Sequence, residues 1–307
     1  MIEPGPGILV VDKAAGVTSF DAVALARRAL GVRRIGHAGT LDPPATGVLP
    51  LLVGEATKLT PYLMDHDKEY VATVRFGVTT DTHDLTGRVL STAAVTGLSR
   101  ERLDAACRPF VGRILQTPPM FSAVHHGGQR LYELARQGVE VERTPREVVV
   151  VSIEVEDVGE AVATLRIVCG KGTYVRVLAA DLGAALGCGA AIERLTRTRV
   201  GPFTLRSAVA WSELVDGRRD SLLARLLAMD AALADWPAAR LDVARARQFS
   251  HGQPAELTTP IAGARLVRVY GEGETLLGVG ETDVRGRSVR PVRMLHADRS
   301  GTSARPA

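Results

Sequence analysis

Residues 36–47, GHAGTLDPPATG, hold three glycines and two prolines in twelve positions, a content that excludes a regular helix or strand. The segment is a shaped loop, and the runs on either side of it favour regular structure. Before it, residues 8–12 (ILVVD) form an apolar run of strand length. Thr18 with Asp21 three residues later resembles a capping box, opening a helix whose apolar face is Val23, Leu25, Ala26 and Leu30 and whose stop is Gly31. After the loop, residues 48–53 are an apolar strand candidate. The chain must therefore hold an irregular loop between a helix and a buried strand.

Further along, residues 68–76 (KEYVATVRF) alternate like a half-buried strand, and residues 101–110 read as an amphipathic helix. Residues 113–146 combine turn chemistry (Pro118-Pro119, Gly127-Gly128) with a short helix at 131–136, and carry His125, His126 and several arginines, which marks an excursion from the core. Residues 147–155 and 162–168 are β-branched strand runs, and Lys171-Gly172-Thr173-Tyr174 turns the second into a helix ending near Gly187. Strands and helices alternate irregularly, which argues for α/β or α+β with a mixed sheet. After a helical stretch at 212–233, Trp236-Pro237 reads as a linker, residues 238–296 as a small β domain with Gly-rich turns, and residues 297–307 as a disordered tail.

With 307 residues, 46% hydrophobic and 23% charged, the chain can bury a core and form one large domain plus a small one, or two of similar size. No apolar run approaches a membrane span, and residues 1–11 lack the features of a signal peptide. Cys107, Cys169 and Cys188 have neither disulfide-framework nor zinc spacing, so a reducing cytoplasm is expected. The net charge of +4 suits a polyanionic partner if the charge is clustered. Arg supplies 34 of the 38 basic residues, leaving only Lys13, Lys58, Lys68 and Lys171 as positions that resist replacement of a point charge by a planar fork.

The loop lacks the glycine spacings that cradle phosphates, which disfavours nucleotide hydrolysis. It presents one carboxylate, Asp42, pinned by Pro43 and Pro44, with His37 five residues before it. One rigidly held acid suits a nucleophile or general base, whereas glycoside hydrolysis needs two facing carboxylates. The plainer alternative makes Asp42 an Asx-turn residue and His37 a surface side chain.

GHAGTLDPPATGVLPLLVGEATK, with VDKAAGVTSFDAV upstream and DKEYVATVRFG, DTHDLTG and CGKGTYVRVLAADLGAALGCGA downstream, resembles the bacterial tRNA pseudouridine synthase B (TruB) family, in order across nearly the whole chain. The small departures are Pro44 and Phe121. The resemblance implies an α+β fold with a mixed, largely antiparallel central sheet flanked by helices. It divides the chain into a catalytic domain at 1–236, a thumb-like insertion at about 113–146 and a PUA-like RNA-binding domain at 238–296. It implies isomerisation of uridine 55 in the TΨC arm of tRNA, by a monomer, with no cofactor, metal, guide RNA or membrane.

In that reading Asp42 is the catalytic carboxylate, Arg176 pairs with it, and Tyr70 stacks on the uracil and moves a proton. Tyr174 and Leu195 line the base pocket, and His37 fills the space vacated by the extruded uridine. Lys13 serves as a structural or phosphate contact, and Arg130, Arg136 and Arg143, with His125 or His126, grip the tRNA. The guide-dependent relatives lack the insertion, which favours a stand-alone enzyme. A non-catalytic RNA-binding or RNA-folding protein on the same scaffold is the alternative, and the presence of Asp42, Tyr70 and Arg176 counts against it.

Overall fold

The computed structural model describes residues 5–122 and 124–295. The first apolar run forms β1 (Gly7–Lys13), and α1 (Ser19–Leu30) follows. Thr18 and Asp21 do form a reciprocal capping box, and Gly31 closes the helix at φ 69°, a left-handed conformation that costs glycine little. Next come β2 (Ile35–His37) and β3 (Thr46–Val53), so the loop spans the gap between two strands of one antiparallel pair. Ile8 and Val10 pack into one cluster and Leu9 and Val11 into another, so β1 is buried on both faces and reads as a continuous apolar run.

The central sheet has nine strands. Its further members are β4 (Lys68–Phe76), β5 (Gly112–Gln116), β6 (Arg146–Val158), β7 (Val162–Cys169) and β8 (Ala190–Val200), with Phe203–Thr204 paired to β8. The order is β1-β3-β8-β4-β7-β6-β5, with β2 beside β3. Every pairing is antiparallel except β3 with β8, so the sheet is mixed and largely antiparallel as expected. Helices α2 (Arg100–Cys107) and α4 (Val175–Ala185) cover the β4–β7 region, and α1 covers β1 and β3. Between them in sequence lies the short α3 (Leu131–Arg136).

Three elements depart from the sequence expectations. Strand β8 was not anticipated, because two register shifts against β4 break the period of two that alternation relies on. The stretch 212–233 is not one helix but Trp211–Asp216, Arg219–Ala224 and a 3₁₀ segment Met229–Leu233, the first ending at left-handed Gly217. Residues 112–116 belong to the sheet edge, so the excursion occupies residues 117–145.

A second sheet is built from β9 (Ala238–Arg240), β10 (Ala255–Glu256), β11 (Leu266–Tyr270), β12 (Leu276–Thr282) and β13 (Ser288–Met294), in the order β9-β11-β12-β13-β10, with α5 (Val243–Ser250) against it. Val279 and Leu295 pack with Ile8, Leu52 and Leu63, and Tyr62 meets Trp236 edge-on at 5.3 Å, which joins the second sheet to the first through apolar contact. The tail expected at 297–307 lies outside the described residues, as does residue 296 at the end of the expected β domain. Among the described residues no helix is long and apolar enough to cross a membrane.

Gly47 makes the loop's exit possible. It adopts φ +105°, and a Cβ there would lie 2.2 Å from the Arg197 carbonyl oxygen, where β3 meets β8. Gly47→Ala should therefore destabilise the fold by about 3 kcal/mol or more, through clash and backbone strain together. Urea unfolding checks this: a midpoint within error of the parent would refute the close approach.

Candidate active site

Three buried or half-buried side chains hold the loop by its backbone. Lys13, fully buried, donates from Nζ to the carbonyls of Ala14 (2.9 Å), Val17 (2.8 Å) and Pro43 (3.2 Å). Ser19 Oγ accepts from the Leu41 N–H at 2.9 Å and donates to the Leu41 carbonyl at 3.2 Å. Arg197, 1% exposed, donates to the carbonyls of Val48 (2.8 Å), Gly39 (2.9 Å) and Thr40 (3.5 Å). The residues on both sides of Asp42 are thus tied down, and the carboxylate projects from a preorganised loop.

Asp42 Oδ2 accepts from Arg176 Nε at 2.8 Å. Arg176 stands in the first turn of α4 with its side chain 5% exposed, while that of Asp42 is 38% exposed. The other two guanidinium nitrogens donate to the carbonyls of Thr82 (2.7 Å) and Phe121 (2.9 Å). One buried cation therefore joins the Asp42 loop, the DTHD turn and the start of the 117–145 excursion. Asp42 Oδ1 has no hydrogen bond among the described residues, and the partial exposure leaves it open to a ligand.

Tyr70 on β4 stands opposite Arg197 on β8, and Ala72 opposite Leu195, so these four share one sheet face. Burial pushes the Tyr70 phenol above its ordinary 10.0, against the neighbouring Arg197 guanidinium, which keeps the ring neutral at physiological pH. Tyr174 precedes α4; its backbone N–H donates to Gln116 Oε1 at 3.0 Å, and its carbonyl accepts from Gln116 Nε2 at 3.3 Å. Burial raises its phenol too, the Asp42 charge adding to the rise and the Arg176 charge opposing it. His37 ends β2, half-buried, and burial followed by the Arg197 charge lowers its pKa, favouring the neutral ring. Its Nδ1 is buried without a hydrogen-bond partner.

Two expectations need correction. Lys13 is not a phosphate contact, because its ammonium is wholly buried and saturated by three carbonyls; of the two roles considered, only the structural one survives. Arg143 is not an outward grip: its side chain is 23% exposed, it donates to the Pro118 carbonyl at 3.2 Å and it pairs with Glu140 at 3.3 Å. Arg130 and Arg136 are exposed, and both flank the Tyr132 ring, at 5.9 and 5.5 Å from its centroid. The side chain of His126 lies outside what is described, and His125 is exposed.

The sequence reading missed two residues. Asp84, with its side chain 9% exposed, lies 4.0 Å from Arg176 Nε, and accepts from the Thr86 N–H (3.0 Å) and the Thr82 hydroxyl (2.9 Å). It was legible in DTHDLTG as a carboxylate amid threonines, an Asx-turn composition. Arg197 shares a sheet face with Leu195, but the register shifts of β8 break the alternation that would have marked it as an inward charge.

Residues 27–175 match the description "TruB family pseudouridylate synthase (N terminal domain)", residues 176–234 "tRNA pseudouridylate synthase B C-terminal domain", and residues 237–295 "Pseudouridine synthase II TruB, C-terminal". The chain is 48% identical over 275 residues to tRNA pseudouridine synthase B of Dechloromonas aromatica (strain RCB), covering 90% of this chain and 91% of that protein. Its identity to tRNA pseudouridine synthase B of Ralstonia nicotianae is 45% over 298 residues, covering 94% of each. Among solved structures, a Cbf5–Nop10–Gar1 complex superposes with TM-score 0.72 and 25% identity, over 95% of this chain and 85% of that one. An archaeal box H/ACA sRNP Nop10–Cbf5 complex superposes with TM-score 0.70 and 24% identity, over 97% and 88%, and shares the fold. The fold and these matches define a pseudouridine synthase, an isomerase. More narrowly, the chain belongs to the TruB family.

Burial pulls the Lys13 ammonium down from the ordinary 10.5 to about 8, the Asp42 charge opposing it. Between those values the unfolded chain holds the proton that the folded chain has released, so this group makes stability rise with pH from about 8 to 10.5. Lys13→Met should remove its share of that rise, leaving the share of Lys68, whose ammonium burial also lowers to about 8. At pH 7 the variant should be less stable by roughly 2–3 kcal/mol, because its carbonyl partners are left without a donor. Urea titrations at pH 7 to 10 check both, and a parental pH slope in the variant would refute the linkage.

Proposed function

We propose that the chain converts uridine 55 in the TΨC loop of tRNA to pseudouridine, with Asp42 as the catalytic carboxylate. The observation that carries this reading is the asymmetric ion pair: Arg176 is buried with each of its three nitrogens donating, while Asp42 is partly open and keeps one oxygen free. In the reaction the bond from ribose C1′ to uracil N1 breaks, the base turns in the pocket, and C1′ bonds to C5. The C5 proton leaves to solvent and N1 gains one, so the change is an isomerisation that calls for no redox step. Addition to the ring, attack at C1′ and removal of a ribose proton all use the same free oxygen of Asp42.

Tyr70, held neutral, stacks on the uracil and hands over a proton, while Tyr174 and Leu195 bound the base. A uridine in a folded loop must leave its stack before Asp42 can reach it, and His37 fills the gap as a neutral ring. Residues 117–145 act as a thumb that holds the T arm through Arg130 and Arg136, and the second sheet adds RNA contacts. The reading assigns the work to a single protein chain in the cytoplasm without a guide RNA, supported by its relatives, named as tRNA pseudouridine synthase B, and by the excursion the chain carries.

Asp42→Asn keeps shape and much hydrogen bonding but removes the charge and the nucleophilic oxygen. Single-turnover release of tritium from C5-labelled unmodified tRNA should fall by at least a thousandfold while tRNA binding persists. Near-parental release would refute the assignment of Asp42. For the thumb, replacing Arg130 and Arg136 together by Ala should reduce the log–log slope of affinity against salt by about 0.7–0.9 for each phosphate that is no longer neutralised. An unchanged slope in a filter-binding series would remove both residues from the interface.

A further inference from the structure

Of the six Phe, five Tyr and two Trp side chains, Phe20 alone is exposed, at 62%. An isolated exposed apolar residue is ordinary, but the surroundings of this one are not. Phe20 follows Ser19, whose hydroxyl clamps both the N–H and the carbonyl of Leu41, the residue immediately before Asp42. A second clamp, from Lys13 to the carbonyls of Val17 and Pro43, ties the approach to α1 to the other side of Asp42. Phe20 is therefore carried by the residue next to the one that clamps the Asp42 loop.

Its charge environment is positive. Arg27, two helical turns on, brings its guanidinium to 5.8 Å from the Phe20 centroid, and its Nη2 is anchored to the Ile35 carbonyl at 2.8 Å. Arg28 and Arg33 follow, both exposed and without an ion pair among the described residues. The neighbouring Asp21 carboxylate is exposed but engaged at the helix start, accepting from the Thr18 N–H and hydroxyl, each at 2.7 Å. A flat apolar ring beside an anchored guanidinium, with two exposed arginines further along the chain, matches the chemistry of an unpaired nucleotide: a base to stack and a phosphate to neutralise. Exposed valines and leucines elsewhere lack that combination.

We infer that Phe20, with Arg27 beside it, is a stacking platform for an unpaired base of the RNA adjoining the target uridine. The inference rests on the tRNA reading above and adds a contact outside the base pocket. The probes are unmodified tRNA and a T-arm hairpin carrying 2-aminopurine at each unpaired loop position in turn. Phe20→Ala should weaken tRNA binding roughly tenfold, the effect expected when one base is deprived of its aromatic partner. Phe20→Trp should restore affinity, and Phe20→Leu, apolar but not planar, should not. One 2-aminopurine position should be quenched by the parent and by Phe20→Trp, and not by the Ala and Leu variants. Val215→Ala, an exposed apolar residue at 53% on the helix Trp211–Asp216, should leave binding unchanged.

Unchanged affinity in Phe20→Ala overturns the platform, as does full rescue by Leu, which would reduce the contact to general apolar burial. A change confined to self-association in sedimentation, with RNA binding intact, overturns it too and makes the ring a contact between copies. Tritium release is measured beside binding and separates the two readings. Phe20-dependent binding without isomerisation keeps the platform and rejects the proposed reaction, and isomerisation with Phe20-independent binding does the reverse.

Discussion

The Arg176 guanidinium is the joint on which the site depends. Its side chain is nearly sealed from water, and its three nitrogens are answered by Asp42, Thr82 and Phe121. A charge so buried is costly unless each donor is satisfied, so the position of Asp42 is coupled to the closure of two other segments. Removal of any one acceptor would expose the cost of the buried cation, which makes the arrangement all-or-none. The orientation of the carboxylate is thus a property of the assembled fold, and the loop alone does not supply it.

The same logic explains which basic residues remain lysine. Lys13 and Lys68 are both buried and both donate to backbone carbonyls, Lys13 to those of Ala14, Val17 and Pro43, Lys68 to those of Met64 and His66. Carbonyls converging on one point suit a compact ammonium with three donors and leave no room for a planar fork. Lys58 also has a defined place, paired with Glu55 at 2.6 Å and donating to the Met294 carbonyl across the junction with the second sheet. Lys171 is different: it forms an exposed pair with Asp65, of a kind that contributes little stability. Arg197 makes the complementary choice, its fork spreading over Gly39, Thr40 and Val48 where the acceptors are spaced along the chain.

Burial divides the candidate site by role. Lys13, Arg176, Arg197 and Asp84 are inside and hold shape; Asp42, His37, Tyr70, Tyr174 and Leu195 are only partly buried. The elevated phenols of Tyr70 and Tyr174 leave Asp42 with neutral aromatic neighbours, and burial with the Arg197 charge favours the neutral ring of His37. Arg143 crosses from the expected outer set to the inner one, because its guanidinium folds back on the Pro118 carbonyl.

Local chemistry was enough to read much of this in the chain. The capping box at Thr18 and Asp21, the left-handed stop at Gly31, strand Lys68–Phe76 and helix Leu131–Arg136 all depend on contacts within a few residues, and so they are written in consecutive letters. Asp42 and Arg176 were legible as members of distinctive motifs, and the structure brings them together across 134 positions. Strand β8 was not legible, because its bulges shift the alternation and its partners lie far away in β3 and β4. The inward roles of Lys13, Arg143 and Arg197 and the burial of Asp84 were also hidden. Whether a charged side chain faces water or backbone carbonyls depends on which distant segments close over it, and that closure exists only once the sheet is assembled.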